Sequence, residues 1–353
     1  MLHRSPRIRW LVLGGTAVLL LTVLLSVGVG STSISIPEVA RALLAACGLF
    51  PRDAVDPAVY SVVVSIRLPR VLCVVLAGGG LALAGAVMQG VFRNPLADPG
   101  LLGVSAGGGF GALVAITTGA ASFFVLPAAA FAGSLTAVGI ILGVSAASGK
   151  GRVSSVTLVM SGMAVSALFG AFTSLLLSVS NEYQVTSYLF WTMGGLSNRR
   201  WEHVATMAPP VLISAAVLIL LAGRLDILQL GDEQARALGV HSGRNRTAMV
   251  LLASLCTASI VCVTGPIGFV GLIVPHILRM LVGPSHRRLC LASAMAGGVF
   301  LTLCDTLVRW LSGFQGKEFS VGIVTALLGA PYFLYLLIRR KDGADGAGID
   351  GNG

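Results

Sequence analysis

The stretch from Leu68 to Gly103 reads LPRVLCVVLAGGGLALAGAVMQGVFRNPLADPGLLG. Between Leu68 and Phe92 its only charged side chain is Arg70, and the run is long enough for a helix to cross the hydrocarbon core of a bilayer, which takes about 20 residues. Asn94-Pro95 and Pro99-Gly100 are turn dipeptides, and proline cannot continue a helix. The stretch therefore predicts a membrane-spanning helix followed by a chain reversal at one membrane face.

The rest of the chain repeats this pattern. Hydrophobic residues make up 55% of the 353 residues and charged residues 11%, against roughly 25% charged residues in a soluble domain. We therefore predict an all-α polytopic membrane protein with about ten transmembrane helices. The expected spans lie near 10–30, 60–90, 97–117, 121–148, 153–179, 203–222, 245–265, 267–283, 289–311 and 319–338.

Basic residues indicate how these spans are oriented. If the N-terminus is cytoplasmic, an even number of spans places both termini and the breaks at 91–96, 149–152, 223–244 and 284–288 on the cytoplasmic side. Most of the 24 lysines and arginines then fall on that side, as the positive-inside rule requires. The net charge of +10 follows from this topology and from contact with anionic lipid, so no nucleic-acid partner is expected. We expect a multi-pass protein of the cytoplasmic (inner) membrane.

The first run also fits a cleaved signal peptide, because arginines precede it. A retained span is preferred, since the run is longer than a usual signal-peptide core and its removal would spoil the even number of spans. The tail 342–353 is rich in Gly and Asp and is expected to be disordered. Residues 1–341 are expected to form one domain.

Small residues and turn signals indicate how the spans pack. Glycines within the spans let helix backbones approach closely, which predicts a compact bundle. Similar Gly/Pro punctuation after the second and seventh spans suggests an internal repeat of spans 2–5 and 7–10. Between the first two spans, Ser35 and Glu38 form a capping-box pattern that predicts a short surface helix.

Motifs for catalysis or cofactor binding are not evident. The six cysteines and five histidines show no metal-ligand spacing, and no nucleophile motif stands out. Gly143 to Gly151 is similar to a phosphate-binding loop, but its glycine spacing is wrong and Gly151 stands where Ser or Thr is needed. We expect this chain itself to bind no cofactor.

The motifs as a set resemble one family. RLPR at 67–70, followed by GAVMQGVFRNPLADPGLLG at 85–103, is similar to the FecCD-type permeases of ATP-binding-cassette (ABC) importers for iron-siderophores, haem and vitamin B12. Further matching motifs follow in order: WTMGGL at 191–196, LGDEQARALGV at 230–240, GPIGFVGLIVPH at 265–276 and VGIVTALLGAP at 321–331. One departure is Ser320, where the family usually has proline; serine is an acceptable helix N-cap.

The resemblance implies a coupling helix in segment 223–244 that contacts the ATPase subunit. Asp232 and Glu233 suit the first turn of a short helix, and Gly239 suits a left-handed position after it. A plain connector is the alternative interpretation of this segment. The residues assigned to coupling are Gly231, Asp232, Glu233, Ala235, Arg236, Leu238 and Gly239.

The resemblance also implies a docking site for a substrate-binding protein. Arg67 and Arg70 match the family positions that meet acidic residues of that protein, and Arg309 is expected to join them. Ordinary anchoring at the membrane interface is the alternative. The docking prediction implies that exchanging Arg67 and Arg70 for Glu abolishes import while the protein stays inserted.

The substrate pathway is implied to run between two permease copies, along the fifth and tenth spans. Its gate would lie near the connection of the fourth and fifth spans. The serine and threonine hydroxyls predicted to line this pathway could equally donate hydrogen bonds to backbone carbonyls of their own helices. The predicted pathway and gate residues are Ser145, Ser148, Ser154, Ser155, Ser161, Ser166 and Thr173.

The chain is therefore interpreted as the permease subunit of an iron(III)-chelate importer working by alternating access, and itself not an enzyme. Its implied partners are a second permease, identical or paralogous, two ATPases that hold ATP and magnesium, an extracytoplasmic binding protein and membrane lipid. An ion-coupled secondary transporter is the alternative, but it needs paired carboxylates within the membrane, and only Asp305 is a candidate. An intramembrane enzyme ranks third.

Overall fold

The computed structural model describes residues 6–30, 34–148, 155–315 and 319–345. Within these ranges the regular structure is helical, with no strand. Two short 3₁₀ turns, Arg52–Ala54 and Pro99–Leu102, lie between helices. The α-helices are α1 Pro6–Gly28, α2 Ile36–Ala46, α3 Pro57–Phe92, α4 Val104–Thr117, α5 Val125–Ser148, α6 Ser155–Ser178, α7 Glu182–Thr192, α8 Trp201–Gln229, α9 Asp232–Ala237, α10 Ser242–Thr264, α11 Val270–Val282, α12 His286–Gln315 and α13 Val321–Asp345.

Each of the ten predicted spans corresponds to one of these helices. Seven of them, α1, α3, α5, α6, α8, α10 and α12, are long and apolar enough to cross a membrane. The other three, α4, α11 and part of α13, are shorter apolar helices. The prediction of an all-α polytopic membrane protein is therefore confirmed, and α2, α7 and α9 are additional helices too short to span.

The central helix of the bundle is α3. It is buried over most of its length and packs against α10, α8, α11 and α12. A Cβ atom added at Gly85 would collide with the carbonyl oxygen of Gly271 in α11, and one at Gly78 with that of Gly297 in α12. Small residues thus allow the close backbone contact on which helix association in lipid depends.

Helix α3 is irregular at its start and ends in the predicted reversal. The seven residues Ser61–Arg67 are π-helical, and the chain then continues as a regular helix through Pro69. Arg93 adopts a left-handed conformation that ends the helix. The Asn94 side chain accepts from the Leu96 amide at 3.0 Å, and the Asp98 side chain accepts from the Gly100 amide at 2.7 Å. The turn dipeptides therefore act as the sequence predicts.

The suggested repeat agrees with the order of helix lengths. Spans 2–5 are α3 to α6, and spans 7–10 are α10 to α13. In each half the second helix is short, with 14 residues in α4 and 13 in α11. Both short helices follow a residue with positive φ, Gly103 at +66° and Phe269 at +69°. The two halves start five spans apart, at spans 2 and 7. If all ten apolar helices cross the membrane, this odd number gives the halves opposite orientation, as in inverted transporter repeats.

The predicted surface helix between the first two spans is α2. Glu38 accepts hydrogen bonds from the Ser35 hydroxyl at 2.6 Å and the Ser35 amide at 2.9 Å. These bonds lower the pKa of the Glu38 carboxyl from its ordinary value. One apolar face of α2, with Val39 and Ala42, is buried, which holds the helix on the bundle.

Two sequence expectations concern α13. The helix continues to Asp345, four residues into the predicted tail 342–353, and residues 346–353 lie outside the described ranges. Ser320 precedes α13 as an N-cap should, yet its hydroxyl donates to the carbonyls of Met193 and Gly194. Ser320 thus joins two chain segments instead of capping its own helix.

Candidate functional site

Helix α9 lies at one end of the bundle, together with the C-terminal ends of α3 and α8 and the N-terminal ends of α10 and α12. We call this the α9 end. Gly231, at φ +118°, allows the chain to turn from α8 into α9. At the far end of α9, Gly239 has φ +76°, so its predicted left-handed conformation is confirmed.

The end of α9 is a Schellman motif. The Gly239 amide donates to the Arg236 carbonyl at 2.9 Å, and the Val240 amide donates to the Ala235 carbonyl at 2.8 Å, which satisfies carbonyls that a helix end leaves unpaired. Ala235 is fully buried and packs with Val240 in the hydrophobic core. The helix is therefore a defined, anchored element and not a loose connector.

The surface that α9 leaves uncovered is apolar at both ends. Leu230 and Leu238 are each 60% exposed, although they flank the helix outside the spans α8 and α10. Asp232 is held by Arg246 of α10 at 2.8 Å, and Glu233 and Arg236 are exposed. Exposed leucines therefore lie beside charged residues at both ends of α9.

Hydrogen bonds tie α9's surroundings to the central helix. Gln229 donates to the Gly90 carbonyl at 2.9 Å, and Arg93 donates to the Leu228 carbonyl. Asp226 of α8 accepts from the His286 amide at 2.8 Å and contacts its Nδ1 at 2.7 Å. Short polar contacts thus join the end of α8, next to α9, to α3 and α12.

The opposite end of the bundle, here the Arg70 end, holds the three arginines that the sequence assigned to docking. Arg70 makes a bidentate pair with Asp305 of α12, its closest approach being 2.7 Å. Arg309 binds the same carboxylate at 3.0 Å. Asp305 is completely buried, so one carboxylate holds two cations inside the protein.

These arginines also fix the end of α1. Arg67 donates to the carbonyls of Val27 and Gly28 at 2.9 and 2.8 Å. Arg309 donates to the carbonyls of Ser26 and Val29 at 2.8 and 2.6 Å. The group joins α1, α3 and α12, and we call Arg67, Arg70, Arg309 and Asp305 the Asp305 cluster.

The Asp305 cluster changes the interpretation of the docking residues. Arg67 is only 7% exposed, and the side chains of Arg70 and Arg309 are 13% and 8% exposed. Exchanging Arg70 for Glu would place an acid beside Asp305, and exchanging Arg67 would remove the donor to the carbonyls of Val27 and Gly28. Docking by these residues stays a prediction.

The predicted pathway hydroxyls lie mainly inside the chain's own packing. Ser145 and Ser161 are buried, and Ser166 lies beside Gly103 at the start of α4. Thr173 lies near the Tyr188 hydroxyl of α7. These four do not form one exposed face of α6, and their pathway role stays a prediction.

Two of the remaining predicted gate residues lie at helix ends. Ser148 ends α5 and Ser155 begins α6, while Ser154 lies outside the described residues. Gly143 to Ser148, the first part of the phosphate-loop resemblance, is helical.

Sequence reasoning missed α7, which begins with a capping box at Asn181 and Gln184, each side chain bonding the other's amide at 3.0 Å. That spacing was the available signal.

Helix α7 ends at a junction of three helix breaks. There the Gly195 amide donates to the Thr264 carbonyl at 2.7 Å, and the Gly322 amide donates to the Gly194 carbonyl at 3.2 Å. Non-helical backbone within a bundle is tolerated where protein surrounds it or where it lines a cavity.

Among the described residues, no three His, Cys, Asp or Glu side chains come together in a group that could hold a metal ion.

The family model described as the FecCD transport family matches residues 18–339. The chain belongs to the FecCD transport family.

Two curated FecCD relatives differ in cargo. The cobalamin import system permease protein BtuC of Halobacterium salinarum is 43% identical over 280 residues, which cover 79% of this chain and 74% of the relative. The Fe(3+)-citrate import system permease protein YfmE of Bacillus subtilis is 37% identical over 336 residues, covering 95% of this chain and 96% of the relative. Both relatives are transport permeases, a non-catalytic kind of subunit.

A solved structure has the same fold. It is described as an inward-facing conformation of a metal-chelate type ABC transporter, and it is 34% identical with a TM-score of 0.82. The similarity covers 95% of this chain and 100% of the other. Together with the ten apolar helices, it identifies this FecCD chain as a multi-pass ABC importer permease of the inner membrane.

Proposed function

We propose that this permease moves an iron(III)-chelate, a siderophore complex in the first instance, across the cytoplasmic membrane by alternating access. The observation that carries the proposal is α9. A short helix, closed by glycines at both ends and anchored by Ala235, presents Leu230 and Leu238 to a partner at one end of a FecCD bundle.

In this proposal α9 contacts the ATPase subunit, and ATP-driven closure of two ATPases moves the bundle through Gln229, Arg93 and the Asp226–His286 contact. ATP and magnesium are held by the ATPases. The full assembly has a second permease copy, identical or paralogous, and a substrate-binding protein at the Arg70 end. Both termini face the cytoplasm, which agrees with the distribution of arginine and lysine.

Iron is proposed as the transported metal because the sequence motifs resemble iron-siderophore permeases, because a relative imports Fe(3+)-citrate and because the similar structure belongs to a metal-chelate transporter. Haem and cobalamin are the competing cargoes within the same family, and cobalamin is the cargo of the other relative.

A secondary transporter is not favoured. Ion coupling within the membrane needs a carboxylate that can exchange a proton or cation during transport. Asp305, the one candidate that the sequence offered, is completely buried and pairs with both Arg70 and Arg309. Its role in the described structure is to hold helices together.

The proposed function is tested by uptake into proteoliposomes that contain this chain, its ATPase and its binding protein. Labelled ferric siderophore, haem and cobalamin are supplied separately. We expect ATP-dependent accumulation of the ferric chelate that requires all three components. Accumulation driven by an ion gradient without the ATPase would overturn the proposal.

Replacing Leu238 with Asp tests the role of α9. A charge on this exposed leucine is expected to reduce uptake about tenfold, because buried apolar anchors carry much of the free energy of a protein interface. The measurements are uptake and the amount of ATPase that copurifies with the permease.

The matched control is Leu49→Asp, which places the same change on an exposed leucine at the Arg70 end. This control is expected to keep the copurified ATPase at the wild-type level. Equal ATPase recovery from the Leu238→Asp variant would contradict the assignment of α9.

A further inference from the structure

Three cavities at the Arg70 end meet around one side chain, Arg199. The outer cavity, about 520 Å³, is lined among others by Arg70, Arg200 and Trp201. A second cavity of about 340 Å³ lies against α5 and α8. The third cavity, about 490 Å³ and here called the deep cavity, reaches the junction of helix breaks at Gly195 and Ser320. Arg199 lines all three, so it lies where the three cavities meet.

Arg199 is poorly satisfied by the protein. One terminal nitrogen donates to the Gly195 carbonyl at 3.3 Å, and the other lies 3.4 Å from His203 Nε2. Its Nε atom is buried without a hydrogen-bond partner. Within the described residues no carboxylate pairs with Arg199, whereas Arg70 and Arg309 of the same end share Asp305.

Charge around the cavities is strongly positive. Among the described residues, Arg199 is the one charged residue that lines the deep cavity, and Glu202 lies only on the outer cavity. Within the same ranges, the ionised groups of the cavities and the adjoining Asp305 cluster are five arginines and two carboxylates: Arg67, Arg70, Arg199, Arg200, Arg309, Glu202 and Asp305. Arg199 is partly buried, and its Nε atom is buried without a partner. Cavities lined by one sign of charge concentrate ligands of the opposite sign.

The remaining wall of the deep cavity is aromatic and apolar. Phe190, Trp191 and Phe319 lie on it, with the hydroxyls of Ser197 and Thr264. Such a wall suits the organic shell of a chelate, while the guanidinium group of Arg199 suits carboxylate or other anionic oxygens, which it can bind through two parallel hydrogen bonds.

We propose that Arg199 is the anion-recognition residue of this permease and that its cargo is a negatively charged metal chelate with exposed carboxylate groups. The inference rests on the proposed function and narrows it from ferric chelates in general to anionic ones. Arg199 contacts the cargo after release from the binding protein, as the cargo passes from the outer to the deep cavity.

The test is a binding titration on the purified permease, without ATPase or binding protein. Trp191 and Trp201 line the cavities, so a bound ferric complex is expected to quench tryptophan fluorescence. The two probes are ferric dicitrate, an anion, and a neutral ferric trihydroxamate. We expect saturable quenching by ferric dicitrate and at least about tenfold weaker binding of the neutral chelate.

Three variants decide the role of Arg199. Arg199→Gln removes the charge and is expected to weaken ferric dicitrate binding at least about tenfold, because the variant loses the charge-assisted hydrogen bonds that a guanidinium group forms with carboxylate oxygens. Arg199→Lys keeps the charge and is expected to retain part of the affinity. Arg41→Gln removes a positive charge from an exposed site on α2 that lines none of the three cavities, and should match the wild type.

Equal affinity of the Arg199→Gln variant and the wild type would overturn the inference, as would equal binding of the neutral chelate or no binding of ferric dicitrate. If Arg199→Gln weakened only the complex with the binding protein, Arg199 would pair with a carboxylate of that protein and the inference would also fail. The titration needs neither ATP nor uptake. A negative titration would therefore reject the role of Arg199 without affecting the proposed importer, and a negative uptake experiment would not affect the binding result.

Discussion

Arginines at the Arg70 end of the bundle occur in two different settings. Arg70 and Arg309 lie on one buried carboxylate, and Arg67 and Arg309 bind the last carbonyls of α1. Arg199, in the loop between α7 and α8, lines three cavities and has no carboxylate partner within the described residues. Paired, buried charges hold helices in place, whereas an arginine without a carboxylate partner beside a cavity can form an ion pair with a ligand.

We therefore assign a structural role to the arginines of the Asp305 cluster and a ligand-binding role to Arg199. The Asp305 cluster should determine whether the bundle folds, and Arg199 should determine what enters it. The following variants test each half of that assignment, beginning with the largest expected effect.

Asp305→Asn should be the most damaging substitution. Two arginines would lose their shared carboxylate while staying buried, and breaking a buried ion pair on one side costs about 3 kcal/mol or more. Thermal unfolding of the purified permease in detergent measures the loss. Glu202→Gln, an exposed carboxylate at the same end, serves as the control and should stay within about 0.5 kcal/mol of wild type. Equal stability of the two variants would show that the cluster is not structural.

Arg200→Gln tests whether anion binding depends on Arg199 alone or on any arginine that lines the cavities. Arg200 is exposed. It lines the outer cavity and the second cavity, which lies against α5 and α8, but it does not line the deep cavity. Water and salt screen exposed charges, so ferric dicitrate binding should weaken only about two- to threefold, and less at higher ionic strength. The fluorescence titration at two salt concentrations checks this. An effect as large as that of Arg199→Gln would mean that the whole positive surface, and not one residue, recognises the anion.

Ser320→Ala should have the smallest effect. Its hydroxyl joins the start of α13 to the carbonyls of Met193 and Gly194 beside the deep cavity. Loss of such hydrogen bonds costs about 1 kcal/mol, measurable as a small decrease in unfolding temperature. Ser320→Thr keeps the hydroxyl and should be closer to wild type. If Ala and Thr behave alike, the hydroxyl does not stabilise the junction.

Local chemistry explains what the sequence could predict. The ten spans follow from apolar length, and the turn after α3 follows from Asn94-Pro95 and Pro99-Gly100. The first turn of α9 follows from Asp232 and Glu233, and its end follows from Gly239. Each of these features depends on residues close together in the chain. The start of α2 at Ser35 and Glu38 follows from the same kind of signal.

Long-range pairing explains what the sequence could not predict. Arg70 lies 235 positions before Asp305, and only the packing of α3 on α12 brings them together; without it, the RLPR motif indicated two exposed arginines. The setting of Arg199 is likewise formed by α5, α7, α8 and α13. Helix α7 was missed because its 11 residues are too few for a span, although Asn181 and Gln184 carried a capping signal.

The most direct test of this division is the unfolding temperature of the wild type and the Arg199→Gln variant, each with and without ferric dicitrate. A ligand that binds only the folded state raises the unfolding temperature. We predict that the two proteins unfold at the same temperature without ligand and that only the wild type is stabilised by ferric dicitrate. A marked loss of stability in the ligand-free variant, or an equal rise in both proteins, would contradict the account.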